Sequence, residues 1–315
     1  MFTFGFESPT SAVTESTVLS SGLRAARYVP FSECLPDGDS WPVEDIDVAG
    51  GAHILTKMVP PETSLPALLH YESMQCEDGT LDPGTANSDL VPNVYEGGFK
   101  VWECTHDLML VMHELASTGK LPFASKSVLE AGCGAGLPAI LATKLGARRI
   151  LFQDFNPAVL RAVTMATCRL NGLESLIESN KISFISGDWA RVSTLLLNES
   201  MDCTTEMPAR EINESSKQPC HMFDIILTSE TLYNVPASER LWQLVQGHLN
   251  VGGTAIIAAK AYYFGCGGSV AAFKLLIDAD KRFTWRTLRT FDDGASNRRE
   301  CFAVTRTQNS GSSSG

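Results

Sequence analysis

The sequence predicts an α/β protein with a mostly parallel, doubly wound sheet, an antiparallel last strand and an N-terminal extension. From residue 127 onward, short β-rich runs alternate with helical stretches, a pattern that is typical of parallel strands joined by crossover helices. The last two β-rich runs are instead joined by the short polar stretch 292–300, which is too short for a crossover helix. We therefore expect these two strands to pair antiparallel.

Each element follows from its local pattern. The β-rich runs predict seven strands, at 127–133, 148–155, 181–188, 223–230, 253–261, 283–291 and 301–306. Helical periodicity lies between the first five strands, at 137–146, 157–172 and 237–249. The stretch 191–221 interrupts the alternation and is polar in its second half, which predicts a helix followed by a surface insertion.

The chain ahead of this region has a different composition. Residues 1–30 are rich in Ser and Thr and predict a disordered tail, whereas residues 31–93 mix Pro, Gly and acidic residues and predict irregular packing. We expect one catalytic-size domain at 94–306 and a flexible tail at 307–315. Residues 1–100 contain 15 acidic and 4 basic residues and account for the whole net charge of −11. A solvated acidic face is favoured over a docking arm for a basic protein, and direct nucleic-acid binding is not expected.

Composition and cysteine spacing exclude several classes of protein. The apolar stretches fall short of the roughly 18 residues that cross a bilayer, and the first ten residues lack the features of a signal peptide. The nine cysteines lie at least 17 residues apart, which indicates reduced thiols and neither a zinc site nor a disulfide framework. We expect a monomer in the cytoplasm and nucleus that binds neither metal nor membrane.

A glycine-rich loop follows the first predicted strand, in the stretch SVLEAGCGAGLPAIL at 127–141. The glycines Gly132, Gly134 and Gly136 do not match a dinucleotide-binding loop, because the third comes one residue early, and no Walker loop is present. With the carboxylate of Glu130 ahead of it, the loop suits a cofactor whose amino-acid part lies against exposed backbone. S-adenosylmethionine is such a cofactor, and a plain tight turn is the alternative.

Acidic residues end the next two predicted strands. Asp154 lies 22 residues after Gly132, where a carboxylate can accept both ribose hydroxyls. Asp154 could instead cap the helix that begins at Pro157, but Asn156 suits that capping role better. At the end of the third strand, Asp188 is a candidate partner for the adenine amino group. Trp189 is a candidate to cover the adenine face, or else a core residue.

Five strings resemble the histidine protein methyltransferases, a branch of the seven-strand S-adenosylmethionine-dependent enzymes. They are VYEGGFKVWECTHDL (94–108), VLEAGCGAGLPAI (128–140), FQDFN (152–156), DIILTSETLYN (224–234) and AKAYYFGCGGSV (259–270). The resemblance covers about residues 91–306, and its first and last strings are the specific ones. It implies a Rossmann-like, seven-stranded methyltransferase fold. It also implies methyl transfer to a histidine ring nitrogen of a protein, with a large-subunit ribosomal protein as the family's known substrate.

The resemblance also assigns cofactor contacts. Mapped onto this chain, they fall on Trp102, Glu103, Cys104, Gly132, Gln153, Asp154, Phe155, Asp188, Trp189 and Ser229. Two motif positions depart from the family pattern, since Asp188 stands where relatives often have Glu, and Glu130 where many have Asp. For the stretch around Trp102, an amphipathic helix start with a buried tryptophan remains the alternative.

The acceptor site is expected at the end of the fourth strand. A neutral imidazole has a lone pair at neutral pH, but either nitrogen can carry the hydrogen, so the site must select one. Glu230 is the candidate to accept one N–H and to stabilise the imidazolium that develops. Tyr233 and Asn234 are candidates to shape the pocket, although Asn234 could simply cap the following helix.

Three other functions stay open at this point. A protein-lysine methyltransferase of the same fold would need a base and a slot for an extended amine. A dehydrogenase would need the glycine spacing that is absent here. A scaffold without activity is disfavoured, because Asp154, Glu230 and the glycine loop are all present.

Overall fold

The computed structural model describes residues 23–35, 42–48, 52–57, 95–202, 221–292, 294 and 296–308. Expectations for the first 22 residues, for most of 31–93, for 203–220 of the insertion and for the end of the chain lie outside this part. Within the described residues, no helix combines the length and the apolar character that crossing a membrane would require.

The described residues form an eight-stranded sheet and a separate hairpin. In chain order the strands are β1 (Arg27–Tyr28), β2 (Val43–Val48), β3 (Ala52–Lys57), β4 (Ser127–Ala131), β5 (Arg149–Asp154), β6 (Ile182–Ser186), β7 (Phe223–Ser229), β8 (Leu249–Lys260), β9 (Phe283–Phe291) and β10 (Arg299–Arg306). The order in the large sheet is β1-β6-β5-β4-β7-β8-β10-β9. Strands β6, β5, β4, β7 and β8 are parallel, and β10 pairs antiparallel with both β8 and β9. The predicted Rossmann-like, seven-stranded fold is confirmed by β4 to β10, including the antiparallel last strand, and β1 is an eighth strand at one edge.

Helices cover both faces of the sheet. They are α1 (Glu103–Ser117), α2 (Leu137–Lys144), α3 (Pro157–Val159, Leu160–Thr164 and Met165–Leu170, with a π-helical middle), α4 (Glu174–Glu178), α5 (Trp189–Asp202), α6 (Val235–His248) and α7 (Val270–Asp278). All five residues of β4 are buried. Within this strand, the consecutive residues Val128 and Leu129 belong to two different hydrophobic core clusters. A strand with both sides covered is the expected centre of a doubly wound sheet.

Two details near the N terminus differ from the sequence-based expectation. Arg27 and Tyr28, in the segment expected to be a disordered tail, pair with Ser186 and Ile185 at the sheet edge. Strands β2 and β3, in the segment expected to pack irregularly, form an antiparallel hairpin, and Ile46 and Ile54 are buried against the main core. A strand of two residues, such as β1, is too short to show a period in the sequence. It is defined by its pairing with β6.

Removing residues 2–30 is expected to lower the melting temperature by about 5 °C relative to removing residues 2–22. The longer deletion takes away β1, buried Val29 and the carbonyl of Arg24, which accepts the N–H of Asp188 at 3.1 Å. Such losses amount to a few hydrogen bonds and one buried side chain, and about 1 kcal/mol corresponds to roughly 2–4 °C in a domain of this size. Calorimetry of the two truncations makes the comparison, and equal melting temperatures would show that β1 adds no stability.

His248, at the end of α6, should make stability depend on pH. Nδ1 donates to the carbonyl of His221 at 2.8 Å, so Nε2, 2.8 Å from the Ser193 hydroxyl, is the acceptor of a neutral ring. Burial lowers the pKa of His248 below its usual 6.5. The unfolded chain therefore takes up a proton that the folded chain does not, and stability falls as the pH drops below about 6.5.

The variant His248→Gln is expected to reduce the loss of melting temperature between pH 7 and pH 5. Calorimetry at several pH values measures this slope, with exposed His53→Gln as the matched control. An unchanged slope in His248→Gln would assign the acid sensitivity to other groups.

Candidate cofactor and acceptor site

A cleft opens at the carboxyl ends of the central parallel strands. It encloses about 800 Å³, including its open mouth. Of the residues expected at the site, the structure brings eleven to its wall: Trp102, Gly132, Gly134, Gly136, Asp154, Phe155, Asp188, Trp189, Ser229, Glu230 and Tyr233. The other five, Glu103, Cys104, Glu130, Gln153 and Asn234, lie outside the lining. This edge is where ligands bind in open α/β sheets.

The glycine loop after β4 needs its glycines for both conformation and space. Gly132 has φ +64° and Gly136 has φ +75°, a region that residues with a Cβ rarely adopt. A Cβ on Gly132 would lie 2.8 Å from Thr231 Cγ2, and one on Gly136 would lie 2.7 Å from the Phe152 ring. The loop therefore presents bare backbone to the cleft.

Asp154 holds this loop as well as lining the cleft. Its Oδ2 accepts the N–H of Gly134 at 2.9 Å, and its Oδ1 accepts the N–H of Asn156 at 3.0 Å. Asn156 lies at the start of α3 as expected, but its side-chain oxygen accepts the N–H of Glu96 at 3.1 Å in place of a helix N–H. Asn156 thus ties the segment before α1 to the cleft.

Gln153 and Glu130 are structural rather than cleft-lining. The Gln153 amide oxygen accepts the N–H of Gly132 (3.0 Å) and the indole N–H of Trp189 (2.7 Å), and its NH₂ donates to the carbonyl of Gly187 (2.9 Å). Glu130 accepts the N–H of Ala139 at 2.9 Å, and burial raises the pKa of its carboxyl group. Both side chains point away from the cleft because they satisfy buried backbone groups there.

Asp188 is paired with another wall residue, Arg240, that the sequence did not predict. Its Oδ2 accepts a hydrogen bond from Arg240 Nε at 2.8 Å, and its Oδ1 accepts the N–H of Ala190 at 2.9 Å. Arg240 lies on α6 and also lines the cleft. Trp189 packs beside them with its indole N–H used by Gln153, so it is both a core residue and a wall residue.

The segment before the core contributes Trp102 to the wall but not the two residues after it. Trp102 donates its indole N–H to the carbonyl of Gly97 at 3.0 Å. Glu103 is half exposed and lies 3.6 Å from Lys260 Nζ. Cys104 is fully buried, and burial together with the charge of Glu230 raises the pKa of its thiol. Successive residues of a helix point in different directions, which separates the three.

Glu230 follows β7 in a strained conformation. Its φ is +57°, uncommon for a residue with a long side chain, and its N–H donates to the carbonyl of Ala258 at 3.0 Å. Oε2 accepts the hydroxyl of Tyr263 at 2.7 Å, and Lys260 Nζ lies 3.7 Å from Oε1. Within the part of the chain that the structure describes, no hydrogen-bond donor reaches the buried Oε1. Strained backbone and an unpaired buried acceptor both occur preferentially at functional sites.

The two residues expected at the rim have different roles. The hydroxyl of Tyr233 donates to Glu96, and burial together with the charge of Glu96 raises the pKa of Tyr233. Asn234 is the N-cap of α6, where its side chain accepts the N–H of Ala237 at 2.7 Å. Asn234 therefore caps the helix and is not placed in the cleft.

Sequence reasoning missed several wall residues. They are Glu96, Gly97, Gly98, Lys100, Thr105, Thr231 and Arg240. The first five lie in the string at 94–108, so its glycine pair was an available signal. A Cβ on Gly98 would lie 2.9 Å from the Val159 side chain and 3.2 Å from Asp154 Oδ2. Nothing in the sequence indicated that Arg240 lines the cleft, because an arginine on an amphipathic helix is common.

The strand order, the antiparallel β10 and the glycine-loop cleft at the carboxyl ends of the strands define the Rossmann-like fold of the seven-strand methyltransferases. Within this class the chain is similar to histidine protein methyltransferases. It is 38% identical over 218 residues to the histidine protein methyltransferase 1 homolog of Dictyostelium discoideum. The aligned stretch covers 69% of this chain and 60% of that protein. It is 35% identical over 229 residues to the homolog of Rattus norvegicus, and that aligned stretch covers 67% of this chain and 57% of the homolog. The resemblance to this family is confirmed.

The chain thus spans about 60% of the length of the curated relatives it matches. No protein-family model matches the chain. Among solved structures, a 16S rRNA N2 G1207 methyltransferase of T. thermophilus in complex with AdoMet and guanosine is similar, with a TM-score of 0.44 and 13% identity. That similarity covers 84% of this chain and 51% of that one.

Proposed function

We propose that this protein is a protein-histidine N-methyltransferase that uses S-adenosylmethionine and acts on a protein, with large-subunit ribosomal proteins as the first candidates. The similarity to histidine protein methyltransferases supports the reaction class. The observation that carries the proposal is the buried, unpaired Oε1 of Glu230, a residue that lines the cleft. The cytoplasm and nucleus remain the expected compartments and a monomer the expected state.

The residues of the cleft fit S-adenosylmethionine. The glycine loop lines the cleft with backbone that carries no side chain, and Asp154 and Asp188 supply acceptors at the ends of neighbouring strands. Asp154 would hold the ribose hydroxyls and Asp188 the adenine amino group, with Trp189 beside the ring. When bound, this cofactor supplies an electrophilic methyl group on a sulfonium.

Glu230 is suited to orient a neutral imidazole. One ring nitrogen carries hydrogen and the other a lone pair, so accepting the N–H at Oε1 fixes which nitrogen stays free to react. The carboxylate then balances the positive charge that develops on the ring. Oε2 already accepts the hydroxyl of Tyr263, so Oε1 is the oxygen of this side chain with the more acceptor capacity to spare.

A lysine substrate fits this arrangement less well. Its ammonium must lose a proton before it can react, whereas an imidazole is already neutral at pH 7. The ammonium of Lys260, 3.7 Å from Oε1, would repel an approaching lysine ammonium more strongly than a neutral ring.

The proposal is tested by incubating the protein with methyl-labelled S-adenosylmethionine and a fraction of large-subunit ribosomal proteins. Labelled proteins are hydrolysed to amino acids and, in parallel, mapped as peptides. Label in methylhistidine supports the proposal. Label in methyllysine would contradict it and favour the lysine alternative. Label only in ribosomal RNA would contradict a protein substrate.

A further inference from the structure

Tyr263, in the loop that follows β8, contacts the carboxylate of Glu230. Its hydroxyl accepts the backbone N–H of Lys260 at 3.2 Å and lies 2.7 Å from Glu230 Oε2. A phenol has one hydrogen, and the N–H of Lys260 can only donate. The hydrogen of Tyr263 is therefore directed to Oε2, and burial together with the charge of Glu230 raises the pKa of the phenol and keeps it protonated.

The backbone holds Tyr263 in this position. Its N–H donates to the carbonyl of Gly268 at 3.0 Å, and the N–H of Gly268 donates to the carbonyl of Tyr233 at 3.0 Å. A Cβ on Gly268 would lie 1.9 Å from the carbonyl oxygen of Leu232, so only glycine allows this contact. The loop that carries Tyr263 is thereby fixed to the loop that carries Glu230.

Near Oε1 of the carboxylate there is a cation, and no residue that the structure describes donates a hydrogen bond to this oxygen. The buried thiol of Cys104 also lies beside the Glu230 carboxylate. Lys260 Nζ is 3.7 Å from Oε1 and 3.6 Å from Glu103 Oε2, so its charge is shared between the two acids. The two oxygens of Glu230 thus differ: Oε2 has a donor, and Oε1 has an electrostatic neighbour and an unused lone pair.

We propose that Tyr263 is a positioning residue that directs Oε1 of Glu230 toward the substrate and thereby determines which imidazole nitrogen is methylated. This role rests on the proposed histidine methylation. Without the hydroxyl, the carboxylate can rotate about its terminal torsion and present either oxygen, since that torsion is broad and roughly two-fold. The imidazole of the substrate can then bind in more than one orientation.

The test is Tyr263→Phe, with Tyr262→Phe as the matched control. Tyr262 is half exposed, and its hydroxyl forms no hydrogen bond with the residues that the structure describes. Single-turnover assays on a histidine-containing substrate, with NMR assignment of the methyl position, should show about a tenfold lower rate for Tyr263→Phe, the scale of one hydrogen bond to a charged group. The minor methylhistidine isomer should rise while the substrate KM changes little. Tyr262→Phe should match the wild type in both respects.

A second readout needs no turnover. In protein labelled with ¹³C at the glutamate carboxyl carbon, the Glu230 resonance is identified by its loss in Glu230→Gln, and it should move in Tyr263→Phe but not in Tyr262→Phe. A wild type that methylates histidine, together with an unchanged rate and isomer ratio in Tyr263→Phe, would overturn the positioning role alone. A wild type that forms no methylhistidine would overturn the proposed function and this role with it. An unmoved resonance would show that the contact with Tyr263 does not hold the carboxylate.

Discussion

Glu230→Gln is expected to lower the rate of methyl transfer about 100-fold and to leave the affinity for S-adenosylmethionine within about twofold. An amide oxygen can still accept an imidazole N–H, but it brings no negative charge to balance the imidazolium. One preorganised electrostatic contact of this kind is worth about 10²-fold, or roughly 2.7 kcal/mol. Glu230 follows β7, whereas Asp154 and Asp188, the acids assigned to the cofactor, lie at the ends of β5 and β6. The affinity for the cofactor should therefore change little.

The measurement is single-turnover methylation at saturating cofactor, with calorimetry for cofactor affinity. Glu239→Gln, on the exposed face of α6, makes the same chemical change away from the cleft and should be neutral. Glu230→Ala should lose at least as much rate and should also form both methylhistidine isomers. Near wild-type rates in both Glu230 variants would remove Glu230 from the mechanism and direct attention to Tyr233.

Asp154→Ala is the second variant with a large expected effect, a loss of cofactor affinity on the order of 10- to 100-fold. Losing charge-assisted hydrogen bonds to two ribose hydroxyls corresponds to about 1.5–3 kcal/mol. Stability should fall as well, because the N–H groups of Gly134 and Asn156 lose their acceptor. Calorimetric titration and thermal unfolding measure the two effects.

Glu130→Ala is the matched control for Asp154→Ala. Glu130 is also a buried carboxyl group that accepts a backbone N–H next to the glycine loop, but it lies outside the cleft lining. We expect Glu130→Ala to lower the melting temperature with a smaller change in cofactor affinity. Equal losses of affinity in the two variants would mean that Asp154 acts on the cofactor only through the loop.

Regular elements and strand-end residues were predictable from local sequence. Strands β4 to β10 lie within two residues of their expected starts except β8, which begins at Leu249, four residues early. Because parallel strands end at one edge of a sheet, the order of motifs along the chain already placed Gly132, Asp154, Asp188 and Glu230 together. Period-2 and period-3.6 patterns suffice for such predictions, since they depend only on neighbours in sequence.

The orientation of individual side chains was not predictable in this way. Gln153 and Glu130 are next to cleft residues in sequence but bind buried backbone groups, which compete for their polar atoms. Cys104 also follows a cleft residue and is buried in the core beside Glu230. Asn234 and Asn156 both precede a first helical turn that contains proline, so their sequence contexts are similar. The side chain of Asn234 caps its helix, whereas that of Asn156 accepts the N–H of Glu96.

From residue order alone follow the doubly wound fold, the antiparallel last strand, the glycine loop and the edge of the sheet where the cleft opens. Long-range packing was needed for the pairing of Arg240 with Asp188 across 52 positions and for the contact of Tyr263 with Glu230 across 33. Periodicity reports which face of an element is buried, whereas the partner of a polar atom depends on which distant segment packs against it. For that reason the unpaired oxygen of Glu230 became visible only once the chain was folded.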